Sequence, residues 1–187
     1  QVIDEIIRLI GPQPGQHILE IGPGRCALTE PLVASGAEIT ALEIDRDLAP
    51  VVARHFNGSD NFRIHTGDAL DFDFSSLATS GKIRVVGNLP YNISTPLILR
   101  LLAQAAAIED MTFMLQKEVV QRLVAPPHGK NYGRLSVIVQ SQSDVEACFE
   151  VQPQAFAPEP RVVSQLVRIS PHREQLSTAV ITALSDC

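Results

Sequence analysis

Four short apolar runs constrain this chain more than anything else in it: "HILEIG", "EITALEID", "FRIHTGDA" and "IRVVGNLP". Each closes on a glycine, an acid or a turn, and helical stretches at 28–35, 47–55 and 94–107 follow the first, second and fourth. Strands joined by helices need crossover connections, so the pattern predicts a mainly parallel sheet covered by helices. "MTFMLQ" and "LSVIVQS" read as further strands. The opening "VIDEIIRLI" puts its aliphatic residues near one helical face and is stopped by Gly11 and Pro12. The tail differs: a strand-like "DVEACFEV", a proline-rich loop from Pro153 to Pro160 and a strand "SQLVRIS" have no helix between them. That arrangement predicts antiparallel pairing at the sheet edge, followed by one last helix in "HREQLSTAVITALSDC".

With 187 residues, 45% of them apolar, the chain can build one sizeable core but not a second full domain. No apolar run reaches the roughly 20 residues of a membrane span. Cys26, Cys148 and Cys187 are scattered, with no spacing for a disulfide framework or a zinc site. A reducing cytoplasmic location is the expectation, with no metal and no membrane partner. The net charge of −6 argues against nonspecific nucleic-acid binding, but all of the excess acid lies in residues 1–110. Between Lys117 and Arg134 the cations Lys117, Arg122, Lys130 and Arg134 face only Glu118, a modest basic patch. A solvated helix and loop would explain that patch equally well.

The strand ends carry the chemistry. Gly22 and Gly24 follow the first strand in "LEIGPGRCALTEP", where two glycines let the backbone turn tightly and approach a ligand. Ala27 stands where the full dinucleotide fingerprint has a third glycine, so the loop alone is weak. The second strand ends at Glu43, placed to accept hydrogen bonds from two ribose hydroxyls. The third ends at Asp68, which suits an adenine amino group, with Ile44 and Ala69 bordering the ring. A helix cap explains Asp68 alone, and Asp45 can cap the helix after it. Taken in order, the three ends point to a nucleoside cofactor across the carboxyl edge of the sheet.

The fourth end, "GNLPY", fits methyl transfer to an aromatic amine. Adenine N6 is a poor nucleophile because its lone pair is delocalised into the ring. Two acceptors aimed at its N–H groups would favour a tetrahedral nitrogen, and the Asn88 side-chain oxygen and the Leu89 carbonyl can supply them. Pro90 would hold that carbonyl in place, and Tyr91 would stack on a base flipped out of its helix. Neither a metal nor a covalent nucleophile is required.

"EIGPG" at 20–24, "ALEID" at 41–45, "GDAL" at 67–70 and "GNLPYNIS" at 87–94 closely resemble the ribosomal RNA adenine N6,N6-dimethyltransferases, nearest their bacterial small-subunit (kasugamycin-resistance) branch. "FMLQKEVVQRL", "YGRLSVIVQ" and "FAPEPRVVS" extend the resemblance over nearly the whole chain. It implies a Rossmann-like class I S-adenosylmethionine-dependent methyltransferase fold: a seven-stranded, mostly parallel sheet with an antiparallel edge strand. It also implies dimethylation of two adjacent adenosines near the 3′ end of small-subunit rRNA, in an immature 30S particle, by a monomer. Glu20, Gly22, Gly24, Glu43, Ile44, Asp68, Ala69 and Asn88 would bind S-adenosyl-L-methionine. Asn88, Leu89, Pro90 and Tyr91 would form the catalytic motif. Tyr91 and Phe156, the latter held by Pro158 and Pro160, would border the target base, and Lys117, Arg122, Lys130 and Arg134 would face rRNA.

The resemblance also implies a glutamine- and asparagine-containing segment ahead of Gln1 and a basic helical domain beyond Cys187. The expected division is a catalytic domain over 1–171, with 172–187 a terminal helix or the start of that second domain. Two other functions stay open: dimethylation of large-subunit rRNA, and a non-catalytic RNA-binding role in ribosome assembly. DNA adenine methylation is disfavoured, because its common catalytic pattern has proline where this chain has Leu89.

Overall fold

The structure, a computed structural model, describes residues 2–156 and 159–174. Helix α1 (Val2–Ile10) leads into β1 (His17–Ile21), α2 (Thr29–Ala34), β2 (Glu38–Glu43), α3 (Leu48–His55) and β3 (Phe62–Thr66). Then come β4 (Ile83–Asn88), α4 (Ser94–Ala103), β5 (Ile108–Gln116), α5 (Lys117–Leu123), α6 (Arg134–Gln140), β6 (Ser143–Val151) and β7 (Ser164–Pro171). The seven strands form one sheet in the order β3-β2-β1-β4-β5-β7-β6. Strands β1 to β5 pair in parallel. β7 runs against both β5 and β6, so the antiparallel pairing expected at the edge is present, with β7 wedged in as the penultimate strand.

Alternation along the strands divides the core between the two faces. On one face Leu19, Val85, Met111 and Phe113 pack beneath Leu97 and Leu101 of α4 and Val120 of α5. On the other, Ile18, Ile39, Val86 and Met114 pack against Ile6 and Ile10 of α1 and Leu32 of α2. Strand order reverses between β1 and β4, which opens a crevice at their carboxyl ends, where such sheets take ligands. At the opposite end, Arg84 is 9% exposed and is held by a two-pronged pair with Asp110, Nε to Oδ1 at 3.0 Å and Nη2 to Oδ2 at 2.9 Å.

Two sequence expectations need correction. "LSVIVQS" is not a strand but α6, over Arg134–Gln140. Its β-branched residues favour a strand, yet the Ser136 hydroxyl accepts the Gly133 amide at 3.1 Å and donates to the Arg122 carbonyl at 2.6 Å. Those two bonds start the helix and pin it to α5, so tertiary packing overrides propensity. The helix expected over 94–107 stops at Ala103, and Ala105–Ala107 form a separate 3₁₀ turn. Gln104 breaks it: its Oε1 accepts the Phe74 amide at 2.9 Å, which ties the helix end to the preceding crossover. The expected terminal helix and most of the 172–187 segment lie outside the described residues, as does Pro158.

Candidate active site

Two cavities open at the carboxyl edge, and they share Asn88 and Phe156. The first, of about 480 Å³, lies on the α1 side of the sheet and is lined by Glu20, Gly22, Gly24, Arg25, Thr112 and Ile6, among others. The second, of about 420 Å³, is lined by Asn88, Leu89, Pro90, Tyr91, Phe156, Pro160 and Ser164. One amide side chain therefore borders both.

The first cavity is shaped by its glycines. Gly22 and Gly24 have φ of 69° and 53°, and a Cβ added at Gly22 would meet nothing within 4 Å, so a group can lie directly on this turn. The Gly22 amide is fixed by the Leu42 carbonyl at 2.9 Å. Cys26 also has a left-handed φ of 66°, but its side chain is buried and burial pushes its thiol up, away from reactivity. Glu20 is 2% exposed and its Oε2 has no hydrogen-bond partner among the described residues. Burial pushes its carboxyl up to about 7; the Thr29 hydroxyl opposes that shift and the Glu43 charge adds to it. An unpartnered, nearly buried carboxyl in a cavity wall suits a cationic ligand group.

The other strand ends arrive in the expected order. Glu43 is buried at the end of β2 and its Oε1 accepts the Asp45 amide at 3.0 Å, which orients the carboxylate and leaves it acceptor capacity. Ile44 beside it is 64% exposed, an apolar surface open at the sheet edge. Asp45 binds the amides of Asp47 and Leu48 and so starts α3, as expected of a cap. Asp68 Oδ1 accepts the Leu70 amide at 2.8 Å, shaping its own turn, and Ala69 is packed into the core.

At the fourth end, Gly87 admits no side chain, because a Cβ there would lie 2.7 Å from the Ile21 carbonyl oxygen. The close approach of β1 and β4 sets Asn88 at the strand exit. Leu89 is 1% exposed and its amide donates to the Met114 carbonyl at 3.3 Å, anchoring the turn. Among the described residues nothing hydrogen-bonds to the Asn88 carboxamide or the Leu89 carbonyl, so both acceptors are free. The Ser94 hydroxyl donates to the Tyr91 carbonyl at 3.2 Å, and the Tyr91 ring is 45% exposed beside the second cavity.

Two of the four basic residues are already ion-paired. Lys117 pairs with Glu150 at 2.7 Å, an acid on β6 outside the basic stretch, and Arg122 pairs with Glu118 on its own helix. Arg134 is exposed at the start of α6, and Lys130 borders a separate cleft of about 250 Å³. Sequence reading missed Thr112, Arg25 and the α1 residues as cavity lining; only the register of β5 and the docking of α1 reveal them. A further polar cavity, of about 550 Å³, lies at the amino edge, where Arg63 and Lys82 are balanced by Glu38 and Glu109.

The sheet order, the glycine turn and the acids at successive strand ends define a Rossmann-like class I methyltransferase fold. Among solved structures, a dimethyladenosine transferase from Plasmodium falciparum superposes with a TM-score of 0.81 at 28% identity, covering 91% of this chain and 61% of that one. The 23S rRNA methyltransferase ErmE gives a TM-score of 0.81 at 26% identity, covering 99% and 73%. Residues 1–185 match the family model for ribosomal RNA adenine dimethylase, and the chain belongs to that family. A relative from Pseudomonas fluorescens, ribosomal RNA small subunit methyltransferase A, is 56% identical over 172 residues, covering 91% of this chain and 64% of the relative. The chain thus spans less than two thirds of that relative's length.

Proposed function

We propose that this protein transfers methyl groups from S-adenosyl-L-methionine to N6 of two adjacent adenosines near the 3′ end of small-subunit rRNA, acting on an immature 30S particle. The observation that carries this reading is the pair of cavities meeting at Asn88, where the Asn88 carboxamide and the Leu89 carbonyl have no hydrogen-bond partner among the described residues. A methyl donor on one side and an acceptor base on the other would face each other across that residue.

The residues present fit the cofactor. Gly22 and Gly24 leave room for it, Glu20 places an acid in the cavity wall, and Glu43 can accept from ribose hydroxyls. When bound, S-adenosyl-L-methionine supplies an electrophilic methyl group on a sulfonium. The protein's part is positioning. The Asn88 side-chain oxygen and the Leu89 carbonyl accept the two N6–H bonds and turn the nitrogen lone pair toward the first cavity. Pro90 limits the turn, while Tyr91 and Phe156 border the cavity that takes the extruded base. The surplus proton of the methylated amine passes to water. The small-subunit substrate is favoured by the 56% identity to a small-subunit enzyme, against 26% to ErmE.

The test is product mapping on unmethylated 30S particles, with naked large-subunit rRNA as the comparison. Dimethyladenosine at two adjacent small-subunit positions is expected. Asn88→Ala should lower turnover by about 100-fold or more while leaving particle binding within about twofold. Modification of large-subunit rRNA alone, or equal loss of turnover and binding in the variant, would overturn the reading.

A further inference from the structure

The amino-edge cavity of about 550 Å³ shares no lining residue with the two that meet at Asn88. It opens where the crossover from β3 to β4 carries no α-helix, only a 3₁₀ turn over Phe74–Leu77. Strand register shows how the sequence meets that gap. Leu19 of β1, buried beneath α4, lies opposite Thr40, and Thr40 lies opposite Arg63, so one cross-strand row runs from apolar to cationic. Arg63 and His65 of β3 are exposed and line the cavity.

The loop after the turn supplies another part of the lining, with Thr79, Ser80, Gly81 and Lys82. Gln104 Oε1 accepts the Phe74 and Ser75 amides at 2.9 and 3.3 Å, which fixes the turn that leads into this loop. The His17 ring bonds the Thr40 hydroxyl at 2.8 Å, and burial lowers its pKa, so it adds no charge at neutral pH. Arg84 is already held by Asp110. The available cations are therefore Arg63, from the sheet, and Lys82, from the loop. Neither has an ion pair or a hydrogen bond among the described residues, and the Thr79 and Ser80 hydroxyls are equally unused. Two unpaired cations on different elements, with hydroxyl donors beside one of them, suit a phosphate group. Glu38 and Glu109 line the same cavity and do the opposite: a carboxylate accepts from hydroxyl donors and repels a second phosphate. That balance favours a single phosphate on a hydroxyl-rich carrier over a polyanionic chain.

We propose that this cavity is a second ligand site, separate from the methyl-transfer site, that takes a sugar phosphate, with the phosphate on Arg63 and Lys82 and sugar hydroxyls on the Glu38 carboxylate. A free sugar phosphate and the ribose phosphate of a nucleotide share this chemistry.

Calorimetry with ribose 5-phosphate, AMP and ribose tests it. Ribose 5-phosphate should bind, and ribose, which lacks the phosphate, should not. Arg63→Gln and Lys82→Gln should each weaken ribose 5-phosphate about 10-fold or more, as expected for one hydrogen bond to a charged group. Both side chains are exposed, so each variant should melt within about 2 °C of the parent. AMP bound more tightly than ribose 5-phosphate, with the same loss in both variants, would assign the site to nucleotides; weaker binding of AMP would assign it to free sugar phosphates. A parent protein that binds neither phosphate compound would overturn the proposal. So would folded variants that bind both as the parent does, since the ligand would then sit elsewhere, or ribose binding as tightly as ribose 5-phosphate.

Discussion

Gly87→Ala is the sharpest single test of how β4 delivers Asn88. The added methyl carbon would sit 2.7 Å from the Ile21 carbonyl oxygen, about 0.7 Å closer than ordinary van der Waals contact. It would also meet Leu89 Cδ2 at 3.3 Å. The first obstacle is backbone in the middle of the sheet and cannot rotate away, so β1 and β4 must separate locally. Overpacking of this kind costs about 1–3 kcal/mol. At about 2–4 °C per kcal/mol for a chain of this size, the melting temperature should fall by about 4–8 °C for a cost near 2 kcal/mol. The displacement falls one residue before Asn88, so turnover should suffer more than stability, by about 100-fold. Gly67→Ala is the control: its Cβ would meet only Leu42 Cδ1, at an ordinary 3.7 Å, and it should melt within about 1 °C of the parent. Thermal unfolding and methyl transfer to unmethylated 30S particles, measured on both variants, check the account. A Gly87→Ala protein as stable and active as the Gly67→Ala control would refute it.

Glu20 should make stability depend on pH. Its folded-state pKa of about 7 lies above the ordinary 4.5, so the folded protein holds the proton more tightly. The stabilisation is complete below about pH 4.5 and is lost as pH rises through about 7, at a cost of about 3 kcal/mol. Glu20→Gln should flatten that slope in ligand-free protein, and melting curves from pH 5 to 8 that stay parallel to those of the parent would count against a buried neutral Glu20. For rRNA association, Arg134→Ala should lower the slope of log affinity against log salt by about one. Lys117→Ala should change it little, because Glu150 already pairs that ammonium; equal slopes for the two variants would remove the distinction.

The strand ends were legible in the sequence because each combines a local turn signal with a glycine or a polar residue. Gly22, Glu43, Asp68 and Asn88 follow apolar runs directly, and parallel strands bring such ends to one edge whatever the exact register. Elements decided by long-range partners were not legible. The "LSVIVQ" run has strand composition and folds as a helix because Ser136 reaches the Arg122 carbonyl, 14 residues away. Lys117 looked free because Glu150, which neutralises it, lies 33 residues further on. Thr112 could not be distinguished from any other residue of a buried strand until the ladder set it in the row of Glu20.

The outermost strand, β6, has a further consequence. Its pairing with β7 shifts register between Ala147 and Glu150, and it carries the exposed acids Asp144 and Glu146. A bulged, acid-studded margin is a poor template for a second copy of the sheet: the irregularity breaks the row of free amides and carbonyls, and like charges repel. The border of the sheet farthest from the strand ends β1 to β3 is thereby guarded against edge-to-edge aggregation, and removing its acids should lower solubility before it lowers stability.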